Sequence, residues 1–246
     1  MNYKCTVSYK GTNYYGWAKQ KDLPTIELMI SKAFKELFGL DVAIFGSGRT
    51  DRYVHALRQV FSVKNKKLNL EPSALQNALN AKLPDDIRII DCCVVDDKFH
   101  ARFAAKNKTY VYKLSTSTTK NLFLEDLIYQ YNQPIDFTKF QEYRKLILGE
   151  HNFLSFSTSE IENTVRQVYS FDYEIHNEVV TFKINGNGFL RNMVRMIIGC
   201  FLNYNENKIQ LSDIEYYLNN PKKGQAIRKV DGCGLYLYKV EYPNND

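Results

Sequence analysis

The run Gly46-Ser47-Gly48-Arg49-Thr50-Asp51 sets a carboxylate between two cations, Arg49 and Arg52, in a stretch with the glycine content of an exposed loop. It begins as a G-x-G-x-x-G nucleotide loop would, but the third glycine position is Asp51, whose charge repels a pyrophosphate. An acid framed by arginines fits a site that meets an anionic polymer. Read locally, Asp51 is equally open to use as a turn residue or helix cap. Walker A is absent, and His55, His100, His151 and His176 show neither H-E-x-x-H nor another metal-ligand spacing, so no metal is expected and structural or surface roles are the plain reading.

The second group of candidates lies in 188–204, whose apolar content reads as one helix. Steps of about 100° per residue place Gly188, Arg191, Asn192, Arg195 and Gly199 on one narrow stripe of it. A helix that apolar is expected to be largely buried, and a buried guanidinium needs an anion or several acceptors to offset desolvation. Backbone carbonyls, a structural acid and a catalytic carboxylate all remain open as the partner of Arg195.

The surrounding elements must hold these groups. Tyr3 to Tyr9 reads as a strand before a Gly11/Gly16 loop, and Ile26, Ile30, Ala33 and Leu37 recur at helical spacing behind Pro24-Thr25. Val42 to Phe45 and Val60 to Val63 are expected as strands around the loop 46–57, putting Asp51 at a strand end. Pro72 opens a helix carrying Leu75, Ala78 and Leu79, and Ile87 to Val95 reads as a buried strand. Further strands are expected at 109–114, 168–175, 179–184 and 235–240, with Asn177 in the turn of one hairpin, and a helix near 137–148. Another helix should open on the capping box Ser212-x-x-Glu215 and stop at Asn219-Asn220-Pro221. Strands and helices without regular βαβ alternation favour an α+β class.

With 246 residues, 44% of them hydrophobic, the chain can bury a sizeable core. The net charge of +6 falls short of the footprint of a dedicated nucleic-acid binder. Its distribution says more: Arg49, Arg52, Arg58 and Lys64 in one stretch, and Arg102, Lys106 and Lys108 in another, are interleaved with Tyr53, Phe61, Phe103 and Tyr110. Five cysteines, an odd count without C-x-x-C, read as buried thiols of a reducing cytosol. No apolar stretch is long enough to span a bilayer, so neither secretion nor membrane anchoring is expected.

Gly48-Arg49-Thr50-Asp51-x-x-Val54-His55-Ala56 resembles the signature G-R-T-D-x-G-V-H-A of the TruA family of tRNA pseudouridine synthases. Other blocks follow in the same order over nearly the whole chain: Gly11-Thr12-x-Tyr14-x-Gly16-Trp17, Ala78-Leu79-Asn80-x-x-Leu83-Pro84, Phe99-His100-Ala101-Arg102-Phe103, Lys108-Thr109-Tyr110, Phe189-Leu190-Arg191-x-Met193-Val194-Arg195 and Gly234-Leu235-Tyr236-Leu237. The resemblance implies isomerisation of uridine to pseudouridine at positions 38, 39 or 40 of the tRNA anticodon arm. It implies a cytoplasmic homodimer without a cofactor. The implied fold is α+β in two lobes, each an antiparallel or mixed sheet backed by helices. Residues 1–105 would carry the aspartate loop and 106–246 the tyrosine strand and arginine helix, around a central cleft.

On the same ground Asp51, Tyr110 and Arg195 are the expected catalytic residues. Tyr110 would stack on the base, Arg195 would stay close to the carboxylate, and Arg49 would help extrude the base. Arg52, His55, Arg58, Arg102, Lys106 and Arg191 complete the expected RNA contacts. Two departures stand out, because Arg52 and Tyr53 occupy places where the family has a small residue and then glycine. A divergent synthase of ribosomal or other structured RNA, or an RNA-binding protein without catalysis, are the competing readings.

Overall fold

The computed structural model describes residues 1–243. The chain divides into two compact units, Met1–Lys106 together with the last strand from Tyr236, and Asn107–Leu235. Both mix sheet and helix, the α+β class expected.

In the first unit β1 (Asn2–Tyr9) pairs antiparallel with both β3 (His55–Lys64) and β4 (Ile87–Val95), and the short β2 (Ile44–Gly46) pairs with the far end of β3. The last strand, β10 (Leu235–Glu241), lies parallel to the start of β3, with Tyr236 beside His55 and Leu237 beside Ala56. Helix α1 (Ile26–Phe38) opens where Thr25 Oγ1 accepts from the Leu28 N–H and ends on Gly39 in the left-handed conformation. Its buried stripe is Ile26, Ile30, Ala33 and Phe34, so the ring of Phe34 enters the core and Leu37 is only half-buried. Helix α2 (Pro72–Lys82) begins on Pro72 as expected and packs on β4.

Two strands differ from their sequence reading. The strand β3 starts at His55, five residues earlier than expected, because Tyr9 on one side and Tyr236 on the other supply backbone partners remote in sequence. In β4 the near-continuous apolar run is half-buried, not enclosed: it is an edge strand of this unit's sheet, with Ile90 and Val94 facing outward.

In the second unit β9 (Val179–Gly186) lies antiparallel between β5 (Asn107–Ser115) and β8 (Val165–His176), and β7 (Gly149–Asn152) continues from β8. A two-residue strand β6 (Tyr129–Gln130) adds a parallel rung to β5. Asn177 and Glu178 both take positive φ in the β8–β9 turn, the backbone a tight hairpin requires. Phe140 of α3 (Phe137–Ile147) meets Phe171, Phe182 and Phe201 at centroid distances of 5.0, 5.1 and 5.2 Å, and aromatic pairs of this kind contribute about 0.5–1.5 kcal/mol each beyond burial.

Helix α4 spans Met193–Asn205, not 188–204. Asn192 at its N-cap has φ of 64°, a left-handed conformation that asparagine tolerates and that stops the helix from extending backward. Gly188 and Arg191 therefore share no helical stripe with Arg195. Helix α5 (Leu211–Asn219) opens on a capping box of Gln210 and Asp213, two residues before the Ser212/Glu215 pair expected.

Candidate active site

The loop 47–54 is fastened from below by β3 and from the side by the loop 11–17. Gln59, fully buried on β3, donates through Nε2 to the Gly48 carbonyl at 2.9 Å and accepts from Ser47 Oγ at 2.5 Å. The hydroxyls of Tyr9 and Thr50 share a buried hydrogen bond of 2.8 Å. The Trp17 N–H donates to the Thr50 carbonyl at 3.1 Å. Gly16, at φ of 89°, lies so close that a Cβ there would overlap the same carbonyl oxygen, so only glycine admits this approach. The residue before Asp51 is thus held by both its hydroxyl and its carbonyl. Asp51 itself is half-buried, accessible but carried on an immobilised backbone.

After Asp51 the chain turns, with the Val54 N–H donating to the Asp51 carbonyl at 3.2 Å. Tyr53 takes the third turn position with φ of 66°, where glycine is favoured because it has no Cβ penalty. The residue is 41% exposed and its ring lies 4.5 Å from the Arg52 guanidinium, which also sits 4.4 Å from the ring of Tyr15.

Arg49, Arg52 and Arg58 are all exposed, and none of their guanidinium groups has a hydrogen-bond or ion-pair partner among the described residues. Arg102 is exposed beside Phe103, which is 78% exposed and stacks near His100, itself against Phe45. Lys106 is exposed at the end of this unit, its backbone N–H bonded to the Glu241 carbonyl. His55 is the exception among the expected RNA contacts. It is 1% exposed, its Nδ1 accepts from the Gly11 N–H at 3.0 Å, and its ring stacks on Tyr236 at 4.6 Å. Its position suits holding the 11–17 loop, and a ring so enclosed cannot reach a polymer in solution.

In the second unit Tyr110 stands on β5, paired with Ile184 of β9. Asn185 fixes this register, its Nδ2 donating to Thr109 Oγ1 at 2.8 Å and to the Lys108 carbonyl at 3.3 Å. The edge of Phe189 meets the Tyr110 ring at 5.2 Å and an interplanar angle of 80°. Arg195, on the first turn of α4, donates from Nε to the Val230 carbonyl at 2.7 Å and from Nη1 to Asn192 Oδ1 at 3.2 Å. Backbone acceptance is therefore part of how this guanidinium is held. Arg191 is exposed in the loop before α4, and its backbone bonds Ser157, Thr158 and Ser159.

The segment that supplies the Val230 carbonyl crosses α4 at Gly199, where a Cβ would overlap the Arg228 carbonyl oxygen. Arg228 also clasps Glu206 just after α4, at 2.6 Å. Partial burial alone would raise the Glu206 carboxyl, but bonds from Arg228, Lys208 and Tyr131 outweigh it and hold the group below its ordinary 4.5. A lowered folded value means stability present above pH 4.5 and lost as pH falls through the folded value. Glu206→Gln is accordingly expected to lower Tm at pH 7 and to flatten the acid limb of Tm against pH. An acid limb as steep as that of the parent protein refutes this assignment.

Val230, Gln59 and Tyr15 are site-building residues that the sequence reading did not single out. Only Gln59 carried a signal, as a polar residue inside an apolar strand. Cysteine chemistry has no place in the site: burial pushes Cys200 up to about 12 and Cys233 up to about 11, leaving both as neutral thiols at physiological pH. Among the described residues no group of three or more His, Cys, Asp or Glu side chains is placed to hold a metal ion. Nor is any helix among them long and apolar enough to cross a membrane.

A family model described as tRNA pseudouridine synthase matches residues 6–104 and 144–243. The protein named tRNA pseudouridine synthase A of Malacoplasma penetrans (strain HF-2) is 44% identical over 244 residues, covering 98% of this chain and 100% of that one. The protein of the same name from Ureaplasma urealyticum serovar 10 is 44% identical over 243 residues, at 98% and 100% coverage. That of Geobacillus sp. (strain WCH70) is 36% identical over 244 residues, at 98% of each chain. With a family match over both halves of the sequence and relatives aligned end to end, the chain belongs to the tRNA pseudouridine synthase family.

Proposed function

We propose that this chain isomerises uridine to pseudouridine in the anticodon arm of tRNA, at positions 38, 39 or 40, with Asp51 as the reacting carboxylate. The observation that carries this reading is the loop 47–54, an acid on a pinned backbone close in sequence to Arg49, Arg52 and Arg58, whose guanidinium groups find no acceptor among the described residues. Unsatisfied exposed guanidinium groups suit the phosphates of a polynucleotide.

In the reaction the bond from ribose C1′ to N1 breaks, the freed base turns, and C1′ bonds to C5. The C5 proton leaves and N1 gains one. Asp51 acts either by attacking the substrate or by removing a sugar proton, and both routes need an ionised carboxylate. In this reading Arg195 supplies positive charge to the reaction. Tyr110 offers a flat face to the extruded base, and Arg49 takes part in the extrusion. Arg58, Arg102, Lys106 and Arg191 contact the RNA backbone.

The isomerisation changes no oxidation state and transfers no outside group, so it proceeds without metal or organic cofactor. We propose further that the protein works as a homodimer in the cytoplasm. Position-resolved pseudouridine mapping of tRNA and ribosomal RNA, with and without the protein, tests the assignment. Modification confined to the tRNA anticodon arm supports it. Modification confined to ribosomal RNA overturns it in favour of a divergent synthase, the reading that Arg52 and Tyr53 in the aspartate loop favour.

A further inference from the structure

The turn that follows Asp51 carries a second binding device. Arg52 and Tyr53 project from it, Tyr53 at a φ of 66° that glycine would adopt without strain. The Arg52 guanidinium sits 4.4 Å from the Tyr15 ring and 4.5 Å from the Tyr53 ring, both within cation–π distance. The side chain is exposed, and none of its N–H donors has a protein acceptor among the described residues.

Two aromatic neighbours restrict a long side chain that would otherwise sample many rotamers, so less entropy is lost when it binds. What remains open is the hydrogen-bonding edge of a planar cation, a fork that matches the two unbridged oxygens of a phosphodiester. Tyr15 comes from the loop that also pins Thr50, so the fork is built on the same support as Asp51.

We propose that Tyr15, Arg52 and Tyr53 form a phosphate clamp, which takes the RNA phosphodiester next to the nucleotide presented to Asp51. This rests on the reading of the chain as an enzyme acting on RNA. The strained backbone at Tyr53 is offset by the ring it brings to Arg52. A smaller residue at this turn would leave the guanidinium with one aromatic neighbour and a wider range of orientations.

The test is the dissociation constant for unmodified tRNA transcript between 50 and 200 mM salt, with pseudouridine mapping of the unaltered protein alongside. Arg52→Ala is expected to weaken binding about tenfold and to reduce the slope of log Kd against log salt by about 0.7–0.9, the loss of one phosphate contact. Arg52→Lys keeps the slope but loses the fork, and weakens binding severalfold. Tyr53→Leu and Tyr15→Leu each weaken binding with the slope retained, and Tyr53→Phe restores it.

An Arg52→Ala protein with unchanged Kd and slope overturns the clamp, as does a Tyr53→Leu protein that binds like the parent. Thermal melts confirm that each variant is folded. An unaltered protein that forms no pseudouridine in any RNA, while Arg52→Ala still loses slope, sinks the catalytic reading and leaves the clamp standing.

Discussion

Asp51→Asn is expected to reduce pseudouridine formation by about 10³-fold or more, while the protein stays folded and still binds tRNA. The substitution keeps the size and planarity of the side chain, and the loop around it is fixed by the hydroxyl and carbonyl of Thr50 and by Gln59, none of which it alters. What is lost is the negative charge and the basic oxygen, and losing a nucleophile or base on this scale is what a direct chemical role predicts. Tritium release from C5-labelled uridine in tRNA reads the reaction, and a filter-binding assay reads affinity. A variant that retains even a tenth of the parent rate removes Asp51 from the chemistry. One that loses binding in step with rate would make it a residue of recognition.

Gly199→Ala should also be damaging, by a different route, although the glycine carries no side chain that could react. The added Cβ meets the backbone oxygen of Arg228, which cannot swing aside as a side-chain tip would. Either α4 or the crossing segment must move, and overpacking of this kind costs about 1–3 kcal/mol. For a chain of this size that lowers Tm by roughly 3–10 °C. The displaced segment holds the Val230 carbonyl that fixes Arg195 Nε, so the rate at 25 °C should fall by about tenfold or more even while the protein is folded. An unchanged Tm would show that the crossing adjusts freely. A lowered Tm with parent-like turnover would detach Val230 from the positioning of Arg195.

Local periodicity made much of the fold legible. The spacing of Ile26, Ile30 and Ala33, the proline at the start of α2 and the alternation of β1 each express a preference decided within a few residues. The misreadings share a different cause. Residues 188–192 look helical, yet the Arg191 backbone is committed to Ser157, Thr158 and Ser159, about thirty residues earlier in the chain. Gln210 caps α5 although glutamine is not among the favoured N-cap types, so the more conventional Ser212 drew the assignment two residues too far.

The candidate site divides the same way. A carboxylate among arginines is visible in the order of residues, and so was the oddity of Tyr53. That Arg195 leans on a main-chain oxygen, that Tyr15 flanks Arg52 and that His55 is enclosed are consequences of contacts remote in sequence. Composition and spacing cannot express them.

The pairing of β10 with the start of β3 also sets a timetable. His55 leaves the ribosome about 180 residues before Tyr236, its stacking partner, an interval of roughly 10–40 s at ordinary elongation rates. Throughout it the strand leading out of the aspartate loop has an open flank and a histidine without its cover. The loop that carries Asp51 thus waits for a strand about 180 residues further on before its flank is covered, and a nascent chain stalled before Tyr236 carries the arginines of the loop on an unfinished support.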